Sequence, residues 1–306
     1  MRATLKSKVT FAGVGLHTGE NVTMTVNPAS AQYGIWFRRT DIESGDAMVQ
    51  AIYTAVDEKP LCTRLINSQG VEVGTVEHIM AALAGCGIHN ALIEIDGPEV
   101  PILDGCAATF VKAFIAKGLR QQNVAQHALE ILKPVVVQDG EAIAMLTPAA
   151  GLEIDFQIDF EDRAIGKQHR HLSMANGTFV RELADSRTFC RKADIDRMHA
   201  AGLALGGTYE NAVVVDDASV LSPGGLRHAD EAVRHKMLDA LGDLALAGAP
   251  ILGRYSGLKA GHAMTNRLLR KLFATPGAYR VVSCTADQQA RLPGAGVKHA
   301  DLALVA

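Results

Sequence analysis

Apolar residues along this chain recur with two periods, and each period predicts a different kind of element. Alternating or continuous apolar runs predict β-strands at NVTMTVNP (21–28), YGIWFRR (33–39) and ALIEIDG (91–97). Apolar residues at helical spacing predict helices at TVEHIMAALAGCG (75–87) and ATFVKAFIAKG (108–118). The first part of the chain is therefore predicted to be α+β.

A second series of elements follows a polar stretch, RQQNVAQH (120–127). Strands are predicted at LEILKPVVVQ (129–138), AIAMLTP (142–148) and LEIDFQIDF (152–160), and helical segments come after them. Within the later part, the segment 179–217 is predicted to form a helix, a connecting segment and a strand. It resembles an insertion beside a site.

The polar stretch also predicts a domain boundary, which we place near residue 125. The first domain is then 1–125 and the second is 126–306. Each contains several strands and then a helix with a histidine near its start, at TVEHIMAAL (75–83) and at VRHKMLDALGDL (233–244). This shared order suggests an internal duplication.

The balance of charge and the cysteine content exclude several classes of protein. The formal net charge is -3 at pH 7, so no basic field draws the chain onto nucleic acid or an anionic membrane. The five cysteines are odd in number and lack paired spacing, which argues against a disulfide framework and a cysteine zinc site. The N-terminal segment does not read as a signal peptide, and no apolar run reaches the roughly 18 residues of a membrane helix. We expect a soluble cytoplasmic protein.

The first candidate chemistry lies on the helical segment 228–248. Three polar residues, His235, Asp239 and Asp243, are almost opposite its apolar stripe. They could simply form the solvated face of an amphipathic helix. However, the i, i+4 spacing of His235 and Asp239 also lets an imidazole and a carboxylate bind one metal ion. The apolar stripe consists of Val233, Met237, Leu241 and Leu244.

A second helix offers a further ligand. Thr75 is a plausible N-cap, which places Glu77 and His78 in the first helical turn. A capping acid beside a surface histidine is an equally simple interpretation. Yet two histidines and one carboxylate, with a fourth position left for water, form the ligand set of a catalytic zinc site. Glu77 could then take a proton from that water.

Two cationic residues complete the candidate site. His262 follows a glycine at a predicted helix start, and a hydrogen bond that it donates to Asp243 would favour its imidazolium form. The charged ring could then face a developing oxyanion or protonate a leaving amine. Lys236, next to a candidate ligand, could add positive charge. The simpler interpretations are a structural histidine and an ordinary surface lysine.

Short segments in order along nearly the whole chain closely resemble a known family, the UDP-3-O-acyl-N-acetylglucosamine deacetylases of lipid A biosynthesis. Taken together, these segments are very specific. They are LHTG (16–19), LCT (61–63), TVEHIMAALAGCGIHN (75–90), PILDG (101–105), SRTF (186–189), LGGT (205–208), VRHKMLDALGDL (233–244) and GHAMTN (261–266).

The resemblance implies a fold, a reaction and a set of roles. The fold would be two similar two-layer α/β sandwich domains with the active site in the cleft between them. The reaction would remove the N-acetyl group from a UDP-glucosamine that carries a 3-O-hydroxyacyl chain, release acetate and commit the substrate to lipid A. The implied roles are zinc ligands for His78, His235 and Asp239, the general base for Glu77, the cationic histidine for His262, the oxyanion hydroxyl for Thr188, and orientation and charge on the acid side for Asp243 and Lys236.

The resemblance also implies an acyl-chain passage formed by the segment 189–215. Apolar residues in such a segment are more often part of the core. Four positions depart from the family pattern: Leu61, Cys190, Ala204 and Thr265. The preferred acyl length therefore stays open, and Cys62 is expected to pack near the site rather than act as a nucleophile. The positions expected to contact substrate are Leu16, Leu61, Cys62, Phe189, Ile195, Ala204, Ala212 and Val214.

Two alternatives remain open from the sequence. A mononuclear iron(II) oxygenase also uses two histidines and a carboxylate, although it has no evident use for a flanking base and acid. A non-catalytic nucleotide-sugar-binding protein would more often close a structural metal site with four protein ligands. We expect a monomer, and the apolar tail ADLALVA (300–306) could be a frayed end or a handle for a regulatory protease.

Overall fold

The computed structural model describes residues 1–58 and 61–304. In the first half of the chain, α1 comprises Glu77–Cys86, α2 comprises Ala108–Lys117, and a 3-10 turn covers Tyr53–Ala55. The strands of this half are β1 Ala3–Leu5, β2 Val9–Val14, β3 Asn21–Pro28, β4 Ile35–Arg39, β5 Met48–Gln50, β6 Val56–Asp57, β7 Arg64–Ile66, β8 Glu72–Val73, β9 Ala91–Ile95 and β10 Leu119–Gln121.

The second half follows the same order of strands and helices, with an insertion. Its helices are α3 Thr178–Glu182, α4 Lys192–Ala200, α5 Glu231–Ala245, α6 His262–Ala274 and α7 Ala286–Ala290, followed by a 3-10 helix at His299–Leu304. Its strands are β11 His127–Ile131, β12 Val135–Asp139, β13 Ala142–Thr147, β14 Leu152–Asp159, β15 Lys167–Ser173, β16 Phe189–Arg191, β17 Val213–Asp216, β18 Ser219–Val220, β19 Ile251–Leu258 and β20 Tyr279–Ser283.

The strand order of the main sheet is the same in both halves. In the first half it is β2-β3-β9-β4-β5, and β9 pairs in parallel with β4 and antiparallel with β3. In the second half the order β12-β13-β19-β14-β15 lies within a seven-stranded sheet, in which β19 pairs in parallel with β14, antiparallel with β13 and, at its start, in parallel with β11. The antiparallel pairs β1–β10 and β11–β20 also correspond. This repeat supports the suggested duplication, and the fold is α+β as predicted.

The linker between β10 and β11 contains the predicted boundary at residue 125. The division into domains 1–125 and 126–306 stays a prediction. The segment 179–217 is more structured than predicted, since it contains α4 as well as β16 and β17, which join β18 in a separate three-stranded sheet.

The pattern of burial explains why the sheets form where the sequence predicts them. Along β3, Val22, Met24 and Val26 are buried, and they alternate with more exposed residues. Fully burying an apolar side chain of this size contributes about 1.5–3 kcal/mol. Most buried apolar residues of both halves belong to one continuous cluster, and a small second cluster consists of Ala128, Leu252, Cys284 and Leu292. The two halves therefore share a core.

Close packing of α1 against α5 joins the halves at the candidate site. A Cβ at Gly242 would lie only 2.0 Å from the backbone oxygen of Glu77, so only glycine lets the two helices approach this closely. Because α5 also contacts α6, β14 and β15, its polar residues His235, Asp239 and Asp243 are buried. They do not form a solvated face.

The predicted N-cap at Thr75 is wrong. Helix α1 begins at Glu77 after Val76, which makes no side-chain capping bond, and Thr75 has a φ of 54°. The Thr75 hydroxyl instead donates to the buried carboxylate of Glu99 at 2.6 Å. This charge-assisted bond competes with capping, and the Val76 amide donates to the carbonyl of Thr63 at 3.2 Å.

The C-terminal segment packs on the body of the protein at Asp301 and Leu302. Asp301 forms an ion pair with Arg181 at 3.0 Å, so the frayed-end interpretation does not hold for the part of the tail that is described. Val305 and Ala306 lie outside the described residues. Of the helices in residues 1–58 and 61–304, none has the length and apolar character needed to cross a bilayer.

Candidate metal site and cavity

Three candidate ligand side chains converge from the two packed helices. His78 lies in the first turn of α1, and His235 and Asp239 lie one turn apart on α5. Their ligand atoms are within 4.8 Å of one another. Nε2 of His235 lies 3.3 Å from Oδ1 of Asp239, and Nε2 of His78 lies 3.7 Å from the same oxygen. All three side chains are buried.

The surroundings of the ligands fit a bound cation. Oδ1 of Asp239 is buried and accepts no hydrogen bond from the described residues, which is unfavourable for a carboxylate unless a cation faces it. Nδ1 of His235 donates to the carbonyl of Ser186 at 2.9 Å, which directs Nε2 toward Asp239. Two imidazole nitrogens and one carboxylate oxygen form the protein ligand set of an open zinc site.

Burial and neighbouring groups together keep the candidate ligands in the protonation states that metal binding requires. Burial, together with the neighbouring His235, lowers the pKa of His78 to about 3. Burial likewise lowers the pKa of His235. For Asp239, burial alone would raise the pKa, but the neighbouring His235 and Lys236 hold it well below its usual range.

Glu77 lies beside the ligands and faces His262. Its Oε2 accepts a hydrogen bond from the Thr63 amide at 3.0 Å, and its Oε1 lies 3.9 Å from Nε2 of His262. Burial raises the pKa of Glu77 to about 7, although the charge of His262 opposes the shift. A carboxyl group with this pKa exchanges protons near neutral pH.

His262 is the first residue of α6, as the sequence predicts. Its Nδ1 donates to Oδ2 of Asp243 at 2.9 Å, so the predicted hydrogen bond is present. Burial opposes the charged ring, but the carboxylates of Asp243 and Glu77 prevail and raise the pKa of His262 to about 9. The imidazole is therefore cationic at neutral pH.

Lys236 is not an ordinary surface lysine. Its Nζ donates to Oδ2 of Asp239 at 2.7 Å. Burial lowers the pKa of Lys236, but the charge of Asp239 outweighs burial and the pKa is raised overall. The ammonium group therefore stays charged beside the ligands.

Thr188 is held at the wall of the cavity by backbone hydrogen bonds from both sides. Its amide donates to the carbonyl of Gly105 at 2.8 Å, and its carbonyl accepts from the amide of Val213 at 2.8 Å. Gly105 has a φ of 85°, and a Cβ there would lie 2.1 Å from the backbone oxygen of Asn211. The loop can therefore reach Thr188 only with glycine at this position.

A cavity of about 890 Å³ opens beside these groups. Thr188 and the ligand cluster lie on its wall, and so do seven of the eight positions expected to contact substrate. The seven are Leu16, Leu61, Phe189, Ile195, Ala204, Ala212 and Val214.

The eighth position, Cys62, does not reach the cavity wall. It is buried beside Thr75 and Glu77, and burial raises the pKa of its thiol to about 12. The side chain therefore packs near the site as a neutral thiol, as expected. Direct contact between Cys62 and a ligand in the cavity is not supported.

The structure brings two further residues to the site that the sequence does not single out. Nε2 of His17, on the cavity wall, is buried without a partner among the described residues, while its Nδ1 accepts from the Ala204 amide at 3.3 Å. Thr63 contacts both Glu77 and Asp243. Both residues lie in segments that resemble the family, LHTG and LCT. However, their spacing in the sequence gives no sign that they lie close to the helices that carry the candidate ligands.

The fold and the buried cluster together define a candidate metal centre that opens onto a cavity. The chain belongs to the family described as UDP-3-O-acyl N-acetylglycosamine deacetylase, whose model matches residues 2–274.

Curated relatives agree with this membership. The chain is 46% identical over 284 residues to a UDP-3-O-acyl-N-acetylglucosamine deacetylase from Anaeromyxobacter sp. (strain Fw109-5), covering 93% of this chain and 92% of the relative. It is also 46% identical to the protein of that name from Phenylobacterium zucineum (strain HLK1), covering 93% and 97%. Identity to the protein of that name from Shewanella frigidimarina (strain NCIMB 400) is 44%, covering 95% and 94%.

Proposed function

We propose that this protein hydrolyses the N-acetyl group of UDP-3-O-(3-hydroxyacyl)-N-acetylglucosamine, releases acetate and so supplies lipid A biosynthesis. The observation that carries the proposal is the buried cluster of two histidines and a carboxylate, with Glu77 on one side and His262 on the other. The names of the curated relatives supply the substrate.

We propose zinc as the metal, held by His78, His235 and Asp239. A zinc ion there would lower the pKa of a coordinated water and polarise the carbonyl group of the acetamide. The neutral imidazoles and the partnerless Asp239 oxygen suit this ion.

The flanking residues divide the proton transfers of amide hydrolysis between them. Glu77 accepts the proton of the attacking water as its oxygen bonds to the carbonyl carbon. His262, kept cationic by Asp243, gives a proton to the amide nitrogen as the C–N bond breaks. Thr188 donates to the oxyanion, and Lys236 adds positive charge nearby. The products at this point are the neutral amine and acetic acid; the acid gives its proton to the amine, so that acetate and a protonated amine leave, and the proton on Glu77 returns to His262.

The apolar part of the cavity wall is where we propose that the acyl chain lies. Phe189, Ile195 and Val214 form this wall together with residues from the first half of the chain, such as Leu16. Burying an acyl chain contributes about 0.8 kcal/mol per methylene group. A substrate analogue without the chain should therefore bind much more weakly, and a series of chain lengths would define the preferred substrate.

Neither alternative function is favoured by the geometry. An iron(II) oxygenase has no use for the carboxylate and the cationic imidazole that flank the cluster. A structural metal site would be closed by a fourth protein ligand, whereas this cluster borders an open cavity.

Acetate release from the acylated substrate, with bound metal quantified on the same preparation, tests the proposal. We expect activity to disappear on chelation and to return with zinc. Recovery with iron(II) and consumption of oxygen would support the oxygenase, and binding without acetate release would support the binding protein.

We also propose a cytoplasmic location, a monomeric state and control by a protease that acts through the tail at 300–306. Cell fractionation and light scattering test the first two. Removal of the tail should lengthen the lifetime of the protein in cells, and an unchanged lifetime would contradict the third.

A further inference from the structure

Thr63, on the loop before β7, makes three hydrogen bonds to different parts of the site. Its carbonyl accepts from the Val76 amide at the start of α1. Its amide donates to Oε2 of Glu77 at 3.0 Å, and its hydroxyl donates to Oδ1 of Asp243 at 2.5 Å. The side chain is 2% exposed. One small residue thus contacts a carboxylate from each half of the chain.

These bonds place four residues in a ring. One carboxylate oxygen of Asp243 accepts a hydrogen bond from the Thr63 hydroxyl, and the other accepts one from Nδ1 of His262. His262 then faces Glu77, with 3.9 Å between Nε2 and Oε1. Because Thr63 fixes the second oxygen of Glu77, both groups that flank the reacting amide are oriented through the same residue.

From this ring we propose that Thr63 is a positioning residue that sets the separation between the general base Glu77 and the general acid His262. The inference rests on the proposed deacetylation. The Thr63 hydroxyl limits rotation of Asp243 about its side-chain bonds, and Asp243 in turn fixes the imidazole of His262. Buried networks of this kind hold one geometry when every member is satisfied.

The consequence concerns turnover rather than substrate affinity. Thr63 is absent from the cavity wall, so its loss should leave substrate contacts in place. Displacing a reacting group by about 1 Å can lower a rate about a hundredfold. Loss of the hydroxyl should therefore lower kcat with little change in KM.

The test compares Thr63→Val, which lacks the hydroxyl, with Thr63→Ser, which keeps it. In zinc-loaded Thr63→Val we expect kcat to fall by about tenfold to a hundredfold, with KM and zinc content unchanged. Thr63→Ser should stay within about threefold of the original kcat, since the charge-assisted bond is retained. Thr4→Val is the matched control, because it removes a buried hydroxyl bond, 2.7 Å to the carbonyl of Asn90, far from the site.

A double-mutant cycle separates positioning from general damage. In an Asp243→Ala background, Thr63→Val should lower kcat by less than about twofold, since Thr63 would no longer have a carboxylate to orient. Equal losses in both backgrounds would overturn the proposal, as would an unchanged kcat in Thr63→Val alone.

A crystal structure of zinc-loaded Thr63→Val decides the question independently of turnover. The separation between Glu77 Oε1 and His262 Nε2 should change by about 1 Å. An unchanged separation would overturn the positioning role. If the original protein released no acetate, the proposed function would fail while this structural comparison still stood.

Discussion

The two halves of the chain share a strand order but contribute different chemistry to the site. In the first half, α1 brings Glu77 and His78, and α2 begins at Ala108. In the second half, α5 brings His235 and Asp239, and α6 begins at His262. Corresponding helices thus carry different side chains. The candidate cluster draws on both halves, so it depends on how α1 and α5 meet.

Removing a ligand should have the largest effect, because neither half can hold the metal alone. In Asp239→Ala, we expect zinc content and acetate release to be lost together. Zinc analysis and a turnover assay on the same sample measure this, with the exposed Asp287→Ala as control. Full zinc occupancy in Asp239→Ala would exclude Asp239 as a metal ligand.

Variants that lack the proposed base of the first half or the proposed acid of the second half should retain zinc but react more slowly. Glu77→Gln and His262→Gln should each lower kcat by about 10²–10⁴-fold. With the pKa of Glu77 near 7 and that of His262 near 9, the rate should rise through pH 7 and fall through pH 9. His262→Gln should lack the alkaline fall. A profile that keeps rising above pH 9 in the original protein would contradict the division of roles.

Hydrophobic periodicity predicts the repeated parts of both halves because their helices and strands bury one face against a sheet or core. The strand predicted at 21–28 is the observed β3, and the helix predicted at 108–118 ends one residue later than α2. The i, i+4 spacing on α5 brings His235 and Asp239 together for the same local reason.

The remaining features depend on contacts between residues far apart in sequence. Thr75 has a good capping side chain, but the buried Glu99, 24 positions away, takes its hydroxyl. Thr63 reaches Asp243 over 180 positions. Gly242 resembles any helical glycine until α1 is packed against it. Hydrophobic periodicity reflects local structure only, so it does not predict such contacts.

A smaller effect should follow from separating α1 and α5. Gly242→Ala would place a methyl group against the Glu77 carbonyl, and overpacking of this kind destabilises by about 1–3 kcal/mol. Zinc affinity should fall with stability, since His78 would move away from α5. Urea unfolding and zinc titration measure both quantities. In the control Gly97→Ala, the nearest atom to the new Cβ is 3.6 Å away, so little should change.

If Gly242→Ala lost stability without any loss of zinc affinity, the close helix approach would matter for folding alone. Some other contact would then hold His78 at the right distance from His235 and Asp239. If Gly97→Ala also lost stability and zinc affinity, the effect of Gly242→Ala would not be specific to the contact between α1 and α5.

The smallest effect concerns a titratable histidine in the first half, away from the site. Nδ1 of His89 accepts from the Ala3 amide at 3.1 Å, and burial lowers the pKa of His89 to about 4. An unfolded histidine has a pKa of about 6.5. The unfolded chain therefore binds the extra proton first, and stability present above pH 6.5 is lost as the pH falls toward 4.

Between pH 7 and pH 5 this histidine should account for roughly 1–2 kcal/mol of lost unfolding free energy. His89→Gln should be less stable at pH 7, because the bond to Ala3 is disturbed, but its stability should fall less on acidification. Urea unfolding at both pH values measures the difference, with the exposed His299→Gln as control. If His89→Gln and the original protein lost equal stability, the acid sensitivity of the first half would have to arise from the buried site it shares with the second.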